Sequence, residues 1–302
     1  MVSGLIMPKV WVKDPADSTW KQAKQVFVNI GGGTGGWTPL RKGYINQSGT
    51  NKLFYPDYTG NVSYTVPGLY YYTVPNGITS LQFIVAGAGG GGGGNDGGGP
   101  GHPGFAGNIV TFTTSVTPGN IYLCAVAAPG IGGVFGGGAS GGGGGTITNA
   151  LFQGGTGGTS GGSGGSGSGG GGGMASYILS VASNTAVTGS NVAVASGGGG
   201  GGGGSLNAAG QGQGAFTYNS ISDGAVGASK GGGDGGAGGG GGGGHLYGGT
   251  GGIAGTDNSS GGTSGINGLS LIPPGGILSA GPAGGAAQTT GSGGYVTIIP
   301  II

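Results

Sequence analysis

Apolar residues come in short bursts, each closed by turn residues or by a run of glycine. The segments 61–66 (NVSYTV), 69–74 (LYYYTV) and 78–89 (ITSLQFIVAGAG) are separated by Pro67-Gly68 and by Pro75-Asn76-Gly77. These are strong turn signals between stretches rich in β-branched and aromatic residues, so the spacing predicts strands. The same grammar recurs at 108–116 (NIVTFTTSV) and 121–127 (IYLCAVA), joined by the turn 117–120. It recurs again at 175–181 (ASYILSV) and 191–196 (NVAVAS), a hairpin set between glycine runs 169–173 and 197–204. The apolar segment 295–299 (YVTII) predicts a C-terminal strand whose sheet partners lie far back in sequence.

Before residue 58 the pattern differs. Three related units begin at Val10-Trp11-Val12, Val26-Phe27-Val28 and Gly43-Tyr44-Ile45, a spacing of 16–17 residues. Each reads as strand, polar or glycine turn, strand, and the alternation fits strands rather than helix. A lone two-stranded hairpin is marginal in water, so such units need one another or a partner to be ordered. The aromatics Trp11, Trp20, Phe27, Trp37 and Tyr44 are the candidates either for the small core of this module or for its docking onto a larger assembly. Charge divides the chain at the same place. Seven of the eight cations and all three tryptophans precede residue 53, and glutamate is absent throughout. Two regions are therefore expected, 1–57 and 58–302.

Composition raises the question of what the glycine is for. Glycine supplies 93 of 302 residues and charged residues only 5%. Glycine-rich disorder usually comes with high polarity or net charge, whereas here the formal net charge is +1 and apolar bursts recur. No strict Gly-X-Y period runs through the chain, which excludes collagen. Ordering glycine costs ~1–2 kcal/mol per residue, and a net backbone hydrogen bond returns ~0.5–1.5 kcal/mol. A lone tract therefore stays unfolded. Several tracts, bonded side by side as extended threefold helices of the polyproline II type and fixed at their ends by strands, can break even. Tracts 89–94, 141–145, 169–173, 197–204 and 238–244 suit such a bundle, with 197–204 buried inside it. The segment 154–168 (GGTGGTSGGSGGSGS) by itself reads as a flexible linker. The expected fold is all-β: N-terminal hairpin repeats, then β-sandwich-like strands interleaved with a bundle of polyglycine II helices, and essentially no α-helix.

The chemistry of sites is sparse. Cys124 is the only cysteine and alternates with apolar residues, as a small core residue would. G-x-S-x-G occurs at 158–162 and 161–165 without the flanking strand and helix that a nucleophile elbow needs. G-x-G-x-x-G recurs for the same compositional reason, and 227–230 (GASK) lacks the ending of a P-loop. Asp96 and Asp234 sit among glycines without the nine-residue calcium repeat, and His102 and His245 stand apart. The chain is expected to be no enzyme and to use no cofactor or metal. The N-terminal cations make no basic stripe, so no nucleic-acid partner is expected. No run of 18 apolar residues suggests a membrane helix, and the N-terminus does not resemble a signal peptide.

The stretches 72–94 (YTVPNGITSLQFIVAGAGGGGGG), 115–130 (SVTPGNIYLCAVAAPG) and 292–298 (SGGYVTI) resemble the glycine-rich domain of many bacteriophage tail proteins. The stretch ASYILS…NVAVASGGGGGGGG is similar to the glycine-rich domain of anaplastic lymphoma kinase-type receptors, in which polyglycine II helices form a hexagonal array, although this chain has a single cysteine and an N-terminus that does not resemble a signal peptide. The units of 1–57 resemble tandem repeats in minor tail proteins of long-tailed phages. The resemblance implies a virion component, a tail fibre or minor tail protein made in the host cytoplasm. It also implies attachment to other tail proteins through 1–57, self-association (a homotrimer by default) and contact with a host-surface receptor or glycan. Loops between glycine rods should emerge at the ends of the bundle, so Phe135, Phe152, Phe216, Tyr218, His245, Leu246 and Tyr247 are the candidate receptor-contact tips; capping or subunit contact is the plainer role for each. Two other readings remain open: a capsid head fibre or decoration protein, and a bacterial extracellular polymer-binding adhesin.

Overall fold

The computed structural model describes the backbone of the strands between residues 11 and 55. It also describes residues 60–75, 78–136, 138–161, 166–205, 210–213, 237–238, 240–244, 249, 251–255 and 261–301. Near the N-terminus β1 (Trp11–Lys13) pairs with β2 (Trp20–Gln22), β3 (Phe27–Asn29) with β4 (Trp37–Pro39), and β5 (Gly43–Gln47) with β6 (Thr50–Tyr55), each pair antiparallel. The remaining strands are β7 (Val62–Tyr64), β8 (Gly68–Thr73), β9 (Ser80–Ala86), β10 (Asn108–Ser115), β11 (Ile121–Val126), β12 (Ser176–Val181) and β13 (Ser190–Ala195). They are followed by β14 (Gln211–Gln213), β15 (Thr263–Ser264), β16 (Ile277–Ala280) and β17 (Tyr295–Ile301). No helix occurs among the described residues.

Two antiparallel sheets dominate, with strand orders β16-β10-β9-β17-β7 and β13-β12-β11-β8. The C-terminal β17 lies between β9 and β7, so the sheet closes over more than 200 residues of intervening chain. Alternation along the strands explains the core. Leu81, Phe83 and Val85 of β9, Val110 and Phe112 of β10, and Val296 and Ile298 of β17 turn inward. They pack on Tyr72, Tyr122, Cys124, Ile178, Ala193 and Ala195 of the second sheet. Phe83 stacks on Phe112 at 5.2 Å and meets the Tyr122 ring edge-on at 5.4 Å, a geometry that aromatic quadrupoles favour. The four-stranded sheet is buried on its other face as well: Leu123, Ala125, Tyr177, Leu179 and Val194 pack beneath Ala150, Phe152 and Met174. This double burial is why β11 and β12 read as nearly continuous apolar runs.

The strands run straight into the glycine tracts. β9 continues as 87–94 and β13 as 196–204, while 166–174 leads into β12 and 99–107 into β10. In tract 197–204 the N–H groups of Gly198, Gly201 and Gly204 donate to the carbonyls of Ala88, Gly91 and Gly94 at 2.8–2.9 Å. Those of Gly197, Gly200 and Gly203 donate to Gly244, Gly241 and Gly238 at 2.7–3.1 Å. The third set, Gly199 and Gly202, meets side chains instead, Asn267 Oδ1 at 2.8 Å and Ser264 Oγ at 3.0 Å. The carbonyls of Gly198, Gly201 and Gly204 accept from Gly173, Gly170 and Gly167, those of Gly199 and Gly202 from Phe105 and His102, and those of Gly197, Gly200 and Gly203 from Gly268, Gly265 and Gly262. Every third residue thus addresses the same neighbour. All of 197–204 is buried, and each of its backbone donors and acceptors has a partner, as a buried backbone requires.

Segment 154–168 departs from the flexible-linker expectation wherever it is described. Gly154 donates to Gly145, Gly155 to Gly242, Gly157 to Gly142 and Gly167 to Gly204, all at 2.8–2.9 Å. Local composition makes such a segment soft in isolation; neighbouring tracts supply the acceptors that order it.

Candidate interaction surface at the outer end of the glycine tracts

Because strands feed the tracts directly, the array has an end against the sheets and an outer end. Hydrogen bonds place Gly94, Gly204, Gly167, Val134, Gly238, Gly262 and Gln288 together at the outer end. Asn95 reaches across it, its side-chain amide donating to Gln288 Oε1 at 3.1 Å while its Oδ1 accepts from the Gly101 N–H at 2.8 Å.

The sequence candidates scatter over this geometry. Phe135 lies at the outer end, 56% exposed, in a bridge with Gly167. Val134 beside it and Ile131 three residues earlier are also exposed, at 52% and 53%. On a tract that repeats its direction every third residue, Ile131 and Val134 share one row, and Phe135 follows next to it at the tip. Of these, Phe135 was a candidate from the sequence, whereas Ile131 was not, although its spacing of three from Val134 was visible. Phe152 sits elsewhere and corrects the expectation of a receptor-contact tip: it is 4% exposed, at the sheet end, with its ring edge-on to Tyr177 at 5.1 Å. Its backbone adopts a left-handed φ of 57°, which turns the chain and tucks the ring beneath β12. Phe216, Tyr218, His245, Leu246 and Tyr247 lie outside the described residues. Trp11, Trp20, Phe27, Trp37 and Tyr44 belong to strands β1 to β5, and their side chains also lie outside what is described.

Among the described residues from 60 to 301, titratable groups are few and sit mainly in the sheets. Burial pushes the Cys124 thiol well above its ordinary value, as expected of a packed core residue. Tyr72 is pushed up to about 12, first by burial and then by Tyr64 and Cys124, and its hydroxyl has no hydrogen-bond partner. Tyr177 is raised chiefly by burial, partly offset because its hydroxyl accepts the Leu151 N–H at 2.9 Å. The His102 ring lies 2.7 Å from the Pro103 carbonyl and 3.2 Å from Ser264 Oγ, and tilts over Phe105 at 5.5 Å. Its Nδ1 faces a carbonyl acceptor, a role that fastens the outer rows of tract 99–107. No group of three His, Cys, Asp or Glu side chains suited to a metal occurs among the described residues, and no described helix is long and apolar enough to cross a membrane. What this arrangement offers is a contact surface: a backbone-built array with apolar side chains exposed at one end. Set against known proteins, the sequence matches no family model and no curated relative.

Proposed function

We propose that this chain is a non-enzymatic structural component of a bacteriophage virion, a tail fibre or minor tail protein that presents the outer end of its glycine array to the host surface. The observation that carries the reading is the bonding of tract 197–204, which repeats every three residues toward surrounding tracts and leaves no backbone group unpaired. That pattern is the one expected of polyglycine II helices rising ~3.1 Å per residue, and eight such residues span roughly 25 Å. A bundle of this kind is a stiff projection made almost entirely of backbone. Side chains are kept for its ends and perimeter, where Ile131, Val134 and Phe135 stand exposed. An exposed apolar row of this sort is the usual mark of an interaction site.

On this reading the hairpin repeats of 1–57 form a module that attaches to other tail proteins, and 58–302 forms the projecting domain. The assembly is a homo-oligomer, three-fold as in most fibres, and its partner on the host is a surface receptor or glycan. A density map of the assembled particle tests it. The C-terminal strand is expected in the tail, in several symmetric copies; the same strand on the capsid would replace the tail assignment with a head-fibre role. Purified protein should also compete with particles for susceptible cells. Failure to compete, with the tail location upheld, would remove the receptor role and leave the structural one.

A further inference from the structure

Asp96 is the only acidic or basic residue (histidine aside) among the described residues from 60 to 301. It lies in the turn 95–100, where tract 87–94 hands over to tract 99–107, and it is 9% exposed. Its side chain folds back along the chain, so that Oδ1 is in contact with the N–H of the next residue, Gly97. Its Oδ2 is sealed from water and meets no donor. The Gly97 N–H in turn donates to no carbonyl among the described residues. Other atoms hold the turn. The Asp96 N–H donates to the Gly99 carbonyl at 2.8 Å, and Asn95 ties the turn to Gly101 and Gln288. A buried carboxylate oxygen without a partner is costly enough to need its own explanation.

One covalent step removes every group left over in this turn: the charge, the sealed oxygen and the Gly97 N–H. The Gly97 nitrogen attacks Cγ of the protonated Asp96 carboxyl group, and a new N–Cγ bond forms. The Cγ–Oδ2 bond breaks, and Oδ2 departs as water with its own proton and the one from Gly97. The product is a five-membered succinimide ring in which Oδ1 remains as an imide carbonyl. Nothing is oxidised or reduced, and no co-reactant is needed. The residue after the aspartate has to leave its nitrogen open, and glycine does so because it has no Cβ. Gly97 is exposed, its φ is not left-handed, and a Cβ on it would meet nothing within 4 Å, so the ring has room to close. The bonds that hold the turn use other atoms and survive the closure. In an open turn water reopens such a ring, whereas burial of Asp96 shields this one.

We propose that Asp96 and Gly97 close to a persistent succinimide in the folded chain, a self-made modification that locks the turn at the outer end of the array. The proposal stands apart from the virion reading, since it rests on the Asp96 turn alone. The test is intact-mass spectrometry of the purified full chain, kept native in mildly acidic buffer, where carboxyl groups are more often protonated. Peptide mapping and hydroxylamine treatment follow. The expected result is a species lighter by one water, with the loss mapped to residues 96 and 97 and hydroxylamine cutting between them. Asp96→Asn should reach the same final mass by losing ammonia in place of water. Gly97→Val has space for its side chain, yet β-branching crowds the nitrogen; this variant should fold and keep its full mass. Unfolding the lighter wild-type species in urea should return the lost water, because the shielded site opens. Full mass throughout in the wild type, or the same loss of water in Gly97→Val, would overturn the proposal. Isoaspartate at 96 in place of the imide would overturn it too, since water would then have reached the ring. Should Asp96→Asn fail to fold, hydroxylamine on the native wild type decides: a cut between 96 and 97 supports the imide, and an intact chain refutes it.

Discussion

Replacing Gly200 with alanine tests whether glycine is the structural material of this protein. A Cβ on Gly200 would lie 2.0 Å from the Gly170 oxygen, 2.6 Å from the Gly170 carbonyl carbon and 2.9 Å from the Gly171 carbonyl carbon. Carbon atoms pack at ~3.5 Å or more, so tract 167–173 must retreat by roughly 1 Å. The two tracts are joined by the bonds Gly173 to Gly198, Gly170 to Gly201 and Gly167 to Gly204, each 2.8 Å. Such a retreat breaks at least the middle one. The loss is about 1 kcal/mol for the bond and a further ~1–3 kcal/mol for each group left buried and unpaired. Against this, alanine recovers only about 0.4–1 kcal/mol through the unfolded chain. The net expectation is a destabilisation of about 3 kcal/mol, a fall in Tm of roughly 6–12 °C for a chain of this size. The control is Gly293→Ala, an exposed glycine whose added Cβ meets nothing within 4 Å and whose φ is not left-handed; it should be neutral or slightly stabilising. Urea unfolding followed by circular dichroism measures both. If Gly200→Ala costs less than about 1 kcal/mol, a third of the value argued from the hydrogen bonds, the packed array does not exist in solution.

Other outcomes follow from single side chains. Ser176 Oγ accepts the Ala127 N–H at 2.9 Å and donates to the Ala86 carbonyl at 2.6 Å, fully buried where the two sheets meet the tracts; Ser176→Ala should cost about 2 kcal/mol in urea unfolding. Phe152→Ala should cost about 3 kcal/mol, whereas Phe135→Ala should change stability by less than about 0.5 kcal/mol while weakening adsorption of the protein to host cells. Cys124, Tyr64, Tyr72, Tyr122 and Tyr177 are all raised, chiefly by burial, so above pH 9 the unfolded chain releases protons that the folded chain keeps. Stability should hold below that value and fall as pH rises toward 12; a urea midpoint that stays flat across this window would refute the burial of these groups. The native Cys124 thiol should also resist disulfide reagents at pH 8 and react on unfolding.

Much of the strand pattern was legible because strands are encoded locally. The bursts at 78–89, 108–116, 121–127, 175–181, 191–196 and 295–299 overlap β9 to β13 and β17, with ends that agree to within three residues. β16 was not legible. Four residues, all exposed, carry no inward alternation, and the strand is defined by pairing with β10. Phe152 was read as a tip because it lies in a loop joining glycine tracts, yet only the fold places Tyr177 above it. Asp96 was seen, but nothing in its neighbours along the chain tells that one of its oxygens is sealed from water.

Glycine content carries more information once the neighbours are known. Tract 197–204 is glycine at every position and is surrounded on all sides, so a Cβ anywhere along it would strike backbone. Tract 99–107 has glycine at 101, 104 and 107, and those three face the carbonyls of Gly93, Gly90 and Gly87, while Pro103 between them is exposed. The sequence by itself therefore determined where strands form and which faces of each tract permit close approach, since both depend on the residues of the segment alone. Which tract lies against which, in which direction, and which loop end is buried were decided only by the tertiary structure. Every backbone N–H offers the same hydrogen bond, and with no side chain to tell one glycine partner from another, the choice falls to the strands that aim the tracts.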